Sequence, residues 1–310
     1  MAEKALSYLN ELAKQPQAVV ERAEKEYHDR IAKIADTVTK SERIKIVLLA
    51  GPSGSGKTTS ANLIADAIKA RGEDAMVISL DNYYRDHDSP NYPKCENGEH
   101  DYECPEALSL DELTDTLNTI IKNDPFTIPK YDFVLGKRTE SFSYGPIGHG
   151  CVIIEGLHAL NPRISDSLPK ESILKIFVSV STNINHNGER IISGRKMRFV
   201  RRLVRDSIYR GATAERTLSM WEGVLAAEDI YLYPYKSTAD IAFDTFHDFE
   251  PGVMKPFAIK LLSRSLAEKS PYIATVLNAL TLVEEIPETA VPDNSLIREF
   301  IPGGIYESLY

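Results

Sequence analysis

Gly51-Pro52-Ser53-Gly54-Ser55-Gly56-Lys57-Thr58 fits the pattern G-x-x-x-x-G-K-[ST] at every fixed position. The context on both sides agrees with it. Residues 44–49, Ile-Lys-Ile-Val-Leu-Leu, read as a buried strand, and residues 58–70 read as a helix stopped by Gly72. Chance matches to the pattern usually lack this strand–turn–helix frame. The chemistry demands the form: glycines let the backbone curl around phosphates with N–H groups turned inward, and the following helix adds its positive end. Gly51, Ser53, Gly54, Ser55, Gly56, Lys57, Thr58 and Thr59 are therefore expected to bind ATP. Lys57 would neutralise the β and γ phosphates, and the Thr58 hydroxyl would hold Mg2+.

Outward from this loop, short apolar runs alternate with amphipathic helices. Strands are expected at 75–80, 151–154, 174–180 and 241–243, and helices at 108–121, 196–209 and 254–265. Ser109 is a candidate cap, with Glu112 three residues on. With the strand at 44–49, the pattern predicts an α/β fold: a mostly parallel five-stranded sheet with helices on both faces. Residues 1–40 read as a helical arm broken at Pro16, residues 41–265 as the phosphate-binding domain, and residues 266–310 as an extension of no readable purpose. No Asn-Lys-x-Asp segment, the guanine reader of GTPases, occurs in the chain.

Asp81 and Glu155 close two of the expected strands, on the edge where open α/β sheets bind ligands. An acceptor hydroxyl needs an acid to orient it and take its proton, and magnesium needs carboxylates on its remaining positions. Two such acids beside a phosphate loop favour a kinase over helix caps. Arg198, Arg202 and Arg205 stand at i, i+4 and i+7, with Arg201 alongside and Arg210 beyond. Behind a phosphate loop this stripe reads as a lid over residues 181–212, closing cations on the transferring phosphate. The stretch 181–194 suggests a flap.

The chain has 310 residues, 43% hydrophobic and 26% charged, with a net charge of −9 and a pI near 5.4. Such a balance argues against a general nucleic-acid binder, which needs a basic field. Cys95, Cys104 and Cys151 have no repeated spacing, which suggests a reducing compartment. No signal peptide and no apolar run long enough for a membrane is seen, so a cytoplasmic location is expected. Cys95, Cys104, His87 and His100 fit no standard zinc spacing and are read as loop residues. His158 and Trp221 are read as packing residues.

The chain resembles the uridine kinase and phosphoribulokinase family over about residues 44–265. The resemblance rests on the phosphate loop, Leu80-Asp81-Asn82-Tyr83-Tyr84, Asp101-Tyr102-Glu103-Cys104-Pro105-Glu106-Ala107, Ile128-Pro129-Lys130-Tyr131-Asp132-Phe133, Ile153-Ile154-Glu155-Gly156 and Arg201-Arg202-Leu203-Val204-Arg205-Asp206. It implies that Asp81, with Lys57 and Arg205, is catalytic, and that Thr58, Glu155 and Asp81 serve the metal. Arg205 and Arg210 are implied for ATP. Tyr84, Glu103, Tyr131, Phe133, Arg138 and Arg202 are implied for the acceptor. Two departures stand out: Gly136 replaces the histidine that reads a pyrimidine, and Ala212 replaces an arginine. The expected activity is an ATP-dependent small-molecule kinase, nucleoside-like and acting on the ribose 5'-hydroxyl. A sugar or sugar-phosphate kinase and a non-catalytic ATP-binding regulator are the alternatives. A homo-oligomer is expected.

Overall fold

The computed structural model describes residues 2–95 and 98–309; the terminal residues of the 1–40 and 266–310 segments lie outside them. The arm runs β1 (Glu3–Ala5), α1 (Leu6–Ala13) and α2 (Pro16–Thr39), with Pro16 opening the second helix. Then follow β2 (Ile46–Ala50), α3 (Lys57–Lys69), β3 (Ala75–Ser79), α4 (Leu110–Ile121), the paired β4 (Phe126–Asp132) and β5 (Lys137–Tyr144), β6 (Cys151–Glu155) and the short α5 (Pro162–Ser165). Next come β7 (Ile173–Ser179), the hairpin β8 (Asn183–His186) and β9 (Glu189–Ile192), α6 (Gly194–Arg210), α7 (Ala214–Tyr231), β10 (Ile241–Asp244), α8 (Glu250–Leu261), α9 (Arg264–Lys269) and α10 (Pro271–Thr281).

The central sheet has five parallel strands in the order β10-β7-β2-β6-β3. Its middle strand shows why an unbroken apolar run was needed. Ile46, Leu48 and Ala50 face one core, Val47 and Leu49 the other, and all five are fully buried. The phosphate-loop strand therefore sits in the middle of the sheet, beside the strand that ends in Glu155.

The arm belongs to the core. Val20, Tyr27, Ile31 and Ile34 are buried against α3, and the Tyr27 hydroxyl lies 2.7 Å from Ser60 Oγ. The chain end does the same: Leu296, Ile297, Phe300 and Ile301 are fully buried, each contributing about 1.5–3 kcal/mol by leaving water.

Three local expectations change and one element was not foreseen. The stretch 181–194, expected as an irregular flap, forms a hairpin: β8 pairs with β1 and with β9, and Ile184 and Ile192 are buried. The hairpin β4–β5 went unseen, since β5 is an exposed, largely polar strand. The helix expected at 254–265 starts at Glu250, with Pro251 in its first turn, and ends at Leu261, after which Ser263 caps α9. Ser109 makes no side-chain cap bond, and Glu112 pairs with Arg138 instead.

Helices α6 and α8 are joined by a fully buried pair, Arg201 and Glu250, at 2.8 Å through Nη2 and also through Nε. Removing one member leaves the other charge buried and alone. Arg201→Met should lose ~3–5 kcal/mol in urea unfolding, and Arg201→Met/Glu250→Leu should regain most of it. A single substitution without cost would show that the pair contributes nothing.

Candidate active site

The phosphate loop is shaped by what lies beneath it. Gly56 caps α3 with φ +84°, a left-handed conformation, and a Cβ there would meet the Leu296 side chain at 2.6 Å. Arg198 Nη1 donates to the Ser53 carbonyl at 2.9 Å, and Arg201 Nη1 to the Gly54 carbonyl at 3.2 Å. Glu228, on α7, grips Arg198 at 2.7 and 2.8 Å and accepts the Ser53 N–H at 2.8 Å. The expectation that the arginine stripe forms a lid is thus corrected for its first half. Arg198 and Arg201 are fully buried under the loop, because each has its own carboxylate.

The other cations line a cleft of about 210 Å³ together with Gly54, Lys57, Thr58, Asp81, Tyr84, Glu103 and Glu155. Arg202 Nη1 donates to Ser53 Oγ at 2.9 Å, and Arg205 is held by Asp206 at 2.9 and 3.0 Å. Arg210, half exposed, lies at the mouth near Asp206. A wider hollow of about 860 Å³ shares Thr58, Asp81, Glu155, Arg205 and Arg210 and reaches Asn62 and Phe133.

The acids sit where adjacent strands end. Glu155 pairs across the sheet with Leu49 and Ser79, between the phosphate loop and Asp81. Burial pushes its carboxyl up to about 7, against the pull of Lys57 and with a further push from Asp81. Asp81 is open to solvent on one side, but the cleft walls raise its carboxyl above the ordinary range, and Lys57, Arg210 and Arg205 pull it back. Desolvation likewise raises Glu103, with Arg202 opposing.

On the far side Tyr84, Tyr131 and Phe133 pack ring against ring, with centroids 5.1–5.9 Å apart. Tyr84 and Glu103 line the narrow cleft and Phe133 the wide hollow; Tyr131 lies beneath, its hydroxyl buried without a hydrogen bond. Arg138 is displaced from the acceptor set. Its guanidinium donates to the carbonyls of Tyr83 and Tyr84 at 3.1 and 3.0 Å and pairs with Glu112, so it braces the turn that carries Asp81. Gly136 has φ +64°, and a Cβ there would strike the His87 ring at 2.4 Å. Burial lowers the His158 imidazole to about 4, and its Nε2 lies 2.9 Å from the Glu103 carbonyl. Trp221 is core, against Phe199. Among the described residues no group of three or more His, Cys, Asp or Glu is arranged to hold a metal, and no helix is long and apolar enough to cross a membrane.

Thr59 departs from its expected role. Its N–H and hydroxyl donate to Glu299, at 3.3 and 2.9 Å, and it is buried. Gly51 packs closely under the Val178 carbonyl, so its hydrogen-only side is needed for the fold. Sequence reasoning missed Glu228, Glu250 and Glu299. The one available signal was that arginines flanked by Phe199, Leu203 and Val204 face inward and must find acids.

Residues 46–250 match the model of the phosphoribulokinase/uridine kinase family. A protein named uridine kinase from Deinococcus deserti is 29% identical over 198 residues, covering 63% of this chain and 85% of the relative. A uridine kinase from Saccharomyces cerevisiae is 27% identical over 268 residues, 86% of this chain and 48% of its own. A solved structure described as a possible uridine kinase from Bacillus stearothermophilus is 17% identical, with a TM-score of 0.46 over 71% of this chain and all of that one. With two thirds of its length matched, from β2 to the start of α8, the chain belongs to the phosphoribulokinase/uridine kinase family and is a small-molecule kinase.

Proposed function

We propose that the protein transfers the γ-phosphate of ATP to the primary hydroxyl of a ribose-bearing, nucleoside-like acceptor. The observation that carries this reading is the meeting of Asp81, Glu155, Lys57, Thr58 and Arg205 in one cleft whose far wall is Tyr84 and Glu103. Asp81 would orient the acceptor hydroxyl and take its proton. Lys57 and Arg205 would stabilise the charge spreading over the transferred phosphoryl oxygens. Glu103 can accept two hydrogen bonds from a vicinal diol, while the aromatic rings flank the rest of the acceptor.

Magnesium suits the residues present. The Thr58 hydroxyl and the carboxylates of Glu155 and Asp81 are hard oxygen donors in one hollow. One or two carboxylates, waters and substrate phosphates are the usual set for this ion, without an all-protein cage. Once bound, magnesium supplies charge neutralisation on the phosphates.

Lys57→Ala should abolish most ATP affinity or turnover, and unchanged ATP binding and turnover would show the motif to be decorative. Asp81→Asn keeps size and most hydrogen bonding but cannot accept the proton. Its ATP affinity should stay within a few-fold, while transfer falls by about a hundredfold or more. Near-normal transfer would move the base elsewhere.

The acceptor is tested with a panel of nucleosides and sugars in an ATP-dependent phosphorylation assay. Gly136 and Ala212 bring no polar side chain to grip a pyrimidine, the His87 ring beside Gly136 lines neither the cleft nor the hollow, and shape alone discriminates by about a hundredfold or less. Uridine should therefore lead purine nucleosides by no more than that. Strict uridine and cytidine use would refute the looseness, and an acceptor without ribose would refute the class.

A further inference from the structure

Glu299 lies outside the 46–250 stretch that matches the family, on the turn Leu296–Glu299 near the chain end. Yet it lines the same cleft as Lys57, Asp81 and Glu155. One carboxylate oxygen accepts from the N–H and hydroxyl of Thr59, in the first turn of α3. The other stands 3.8 Å from Arg205 Nη1. Asp206 holds the Nε and Nη2 side of that guanidinium. Arg205 thus stands between two carboxylates from different parts of the chain, hydrogen-bonded to Asp206 and paired by charge with Glu299.

We propose that Glu299 is a positioning residue: it locks Arg205 to the start of α3, so that the guanidinium stands ready at the end of the bound triphosphate. This rests on the ATP-dependent kinase reading given above. An acid beside a phosphate site could instead be an obstruction that leaves when nucleotide arrives, and the anchorage of the segment decides against that. Leu296 packs on Gly56, and Leu296, Ile297, Phe300 and Ile301 are fully buried. The Ser295 hydroxyl donates to Glu24, and the Arg298 guanidinium donates to the carbonyls of Glu288, Val291 and Pro302. Glu299 could leave together with its segment only by exposing all of these groups, so the turn that carries it is fixed. A carboxylate that stays repels phosphate on its own account. Its use lies in fixing the cation, since a pre-set guanidinium needs no reorganisation when charge develops.

The test needs no acceptor. Affinities for magnesium-ATP and magnesium-ADP are measured by calorimetry on the full chain, for the parent, Glu299→Gln, Arg205→Gln and the double variant. Glutamine keeps the volume and an oxygen for Thr59 but loses the charge that holds Arg205. The preference for ATP over ADP should fall about five- to tenfold in either single variant, and the double variant should fall no further than Arg205→Gln, the mark of residues acting as a unit. Thermal unfolding should change little, and if Glu299→Gln does not fold, Glu299→Asp, which draws the charge back by one methylene, reads the same ratio. An unchanged preference, or additive losses, would reduce Glu299 to a cap of α3. A raised preference for ATP would make it an obstruction, and either result overturns the proposal. A parent that binds magnesium-ATP but phosphorylates no nucleoside would sink the acceptor reading alone.

Discussion

Two guanidinium groups with no access to water hold the phosphate loop from below. Arg198 reaches the Ser53 carbonyl and Arg201 the Gly54 carbonyl, and each is matched by a carboxylate, Glu228 or Glu250. Taking such charges out of water costs several kcal/mol per ion, and only near-complete hydrogen bonding offsets it. Arg201 has a partner for every donor, since it also donates to Thr245 Oγ1 and to the Thr245 carbonyl, and Arg198 is held on both terminal nitrogens. The loop, α6, α7, α8 and the end of β10 are consequently set in one arrangement. The carbonyls of Ser53 and Gly54 are drawn down toward the cations.

The same helix then works on two levels. Arg198 and Arg201 face down into the core, while Arg202 and Arg205 face the cleft, where Asp206 and Glu299 steady them. The first turns of this helix are fixed by those buried pairs, while Arg210 at its last turn is half exposed. Across the cleft, Asp81 and Glu155 both hold protons more tightly than exposed carboxyls do, because the walls exclude water. Lys57 and the arginines counter this. The site is a balance of desolvated acids against fixed cations, and a magnesium-bearing triphosphate is the kind of ligand that suits both.

Much of this was legible in the sequence because it depends on local pattern. The phosphate loop lies between a strand and a helix, the five strands are short apolar runs, and Asp81 and Glu155 follow two of them directly. What was not legible depends on direction and on distant partners. Arg198 and Arg202 are one helical turn apart and identical in type. Only Glu228, 30 residues from Arg198, makes the first a buried rivet while the second stays at the cleft. Arg138 looked like an acceptor ligand until the carbonyls of Tyr83 and Tyr84 claimed its donors. Glu299 gave no local signal at all: its part in the cleft follows from the packing of Leu296 and Phe300, and mixed apolar and polar tails carry no period to read. Gly136 read as a loss, and the ring of His87 beside it is visible only in three dimensions.

On these contacts the phosphate loop is built before nucleotide arrives. Backbone hydrogen exchange of the ligand-free protein, followed residue by residue over 51–58 and 46–50, tests this directly. Hydrogen-bonded loop amides such as those of Ser53 and Ser55 should exchange through the same slow opening as β2, and Arg198→Met should free the loop while β2 stays protected. Fast exchange of those amides in the unmodified, ligand-free protein, with protection gained only on adding magnesium-ATP, would contradict it.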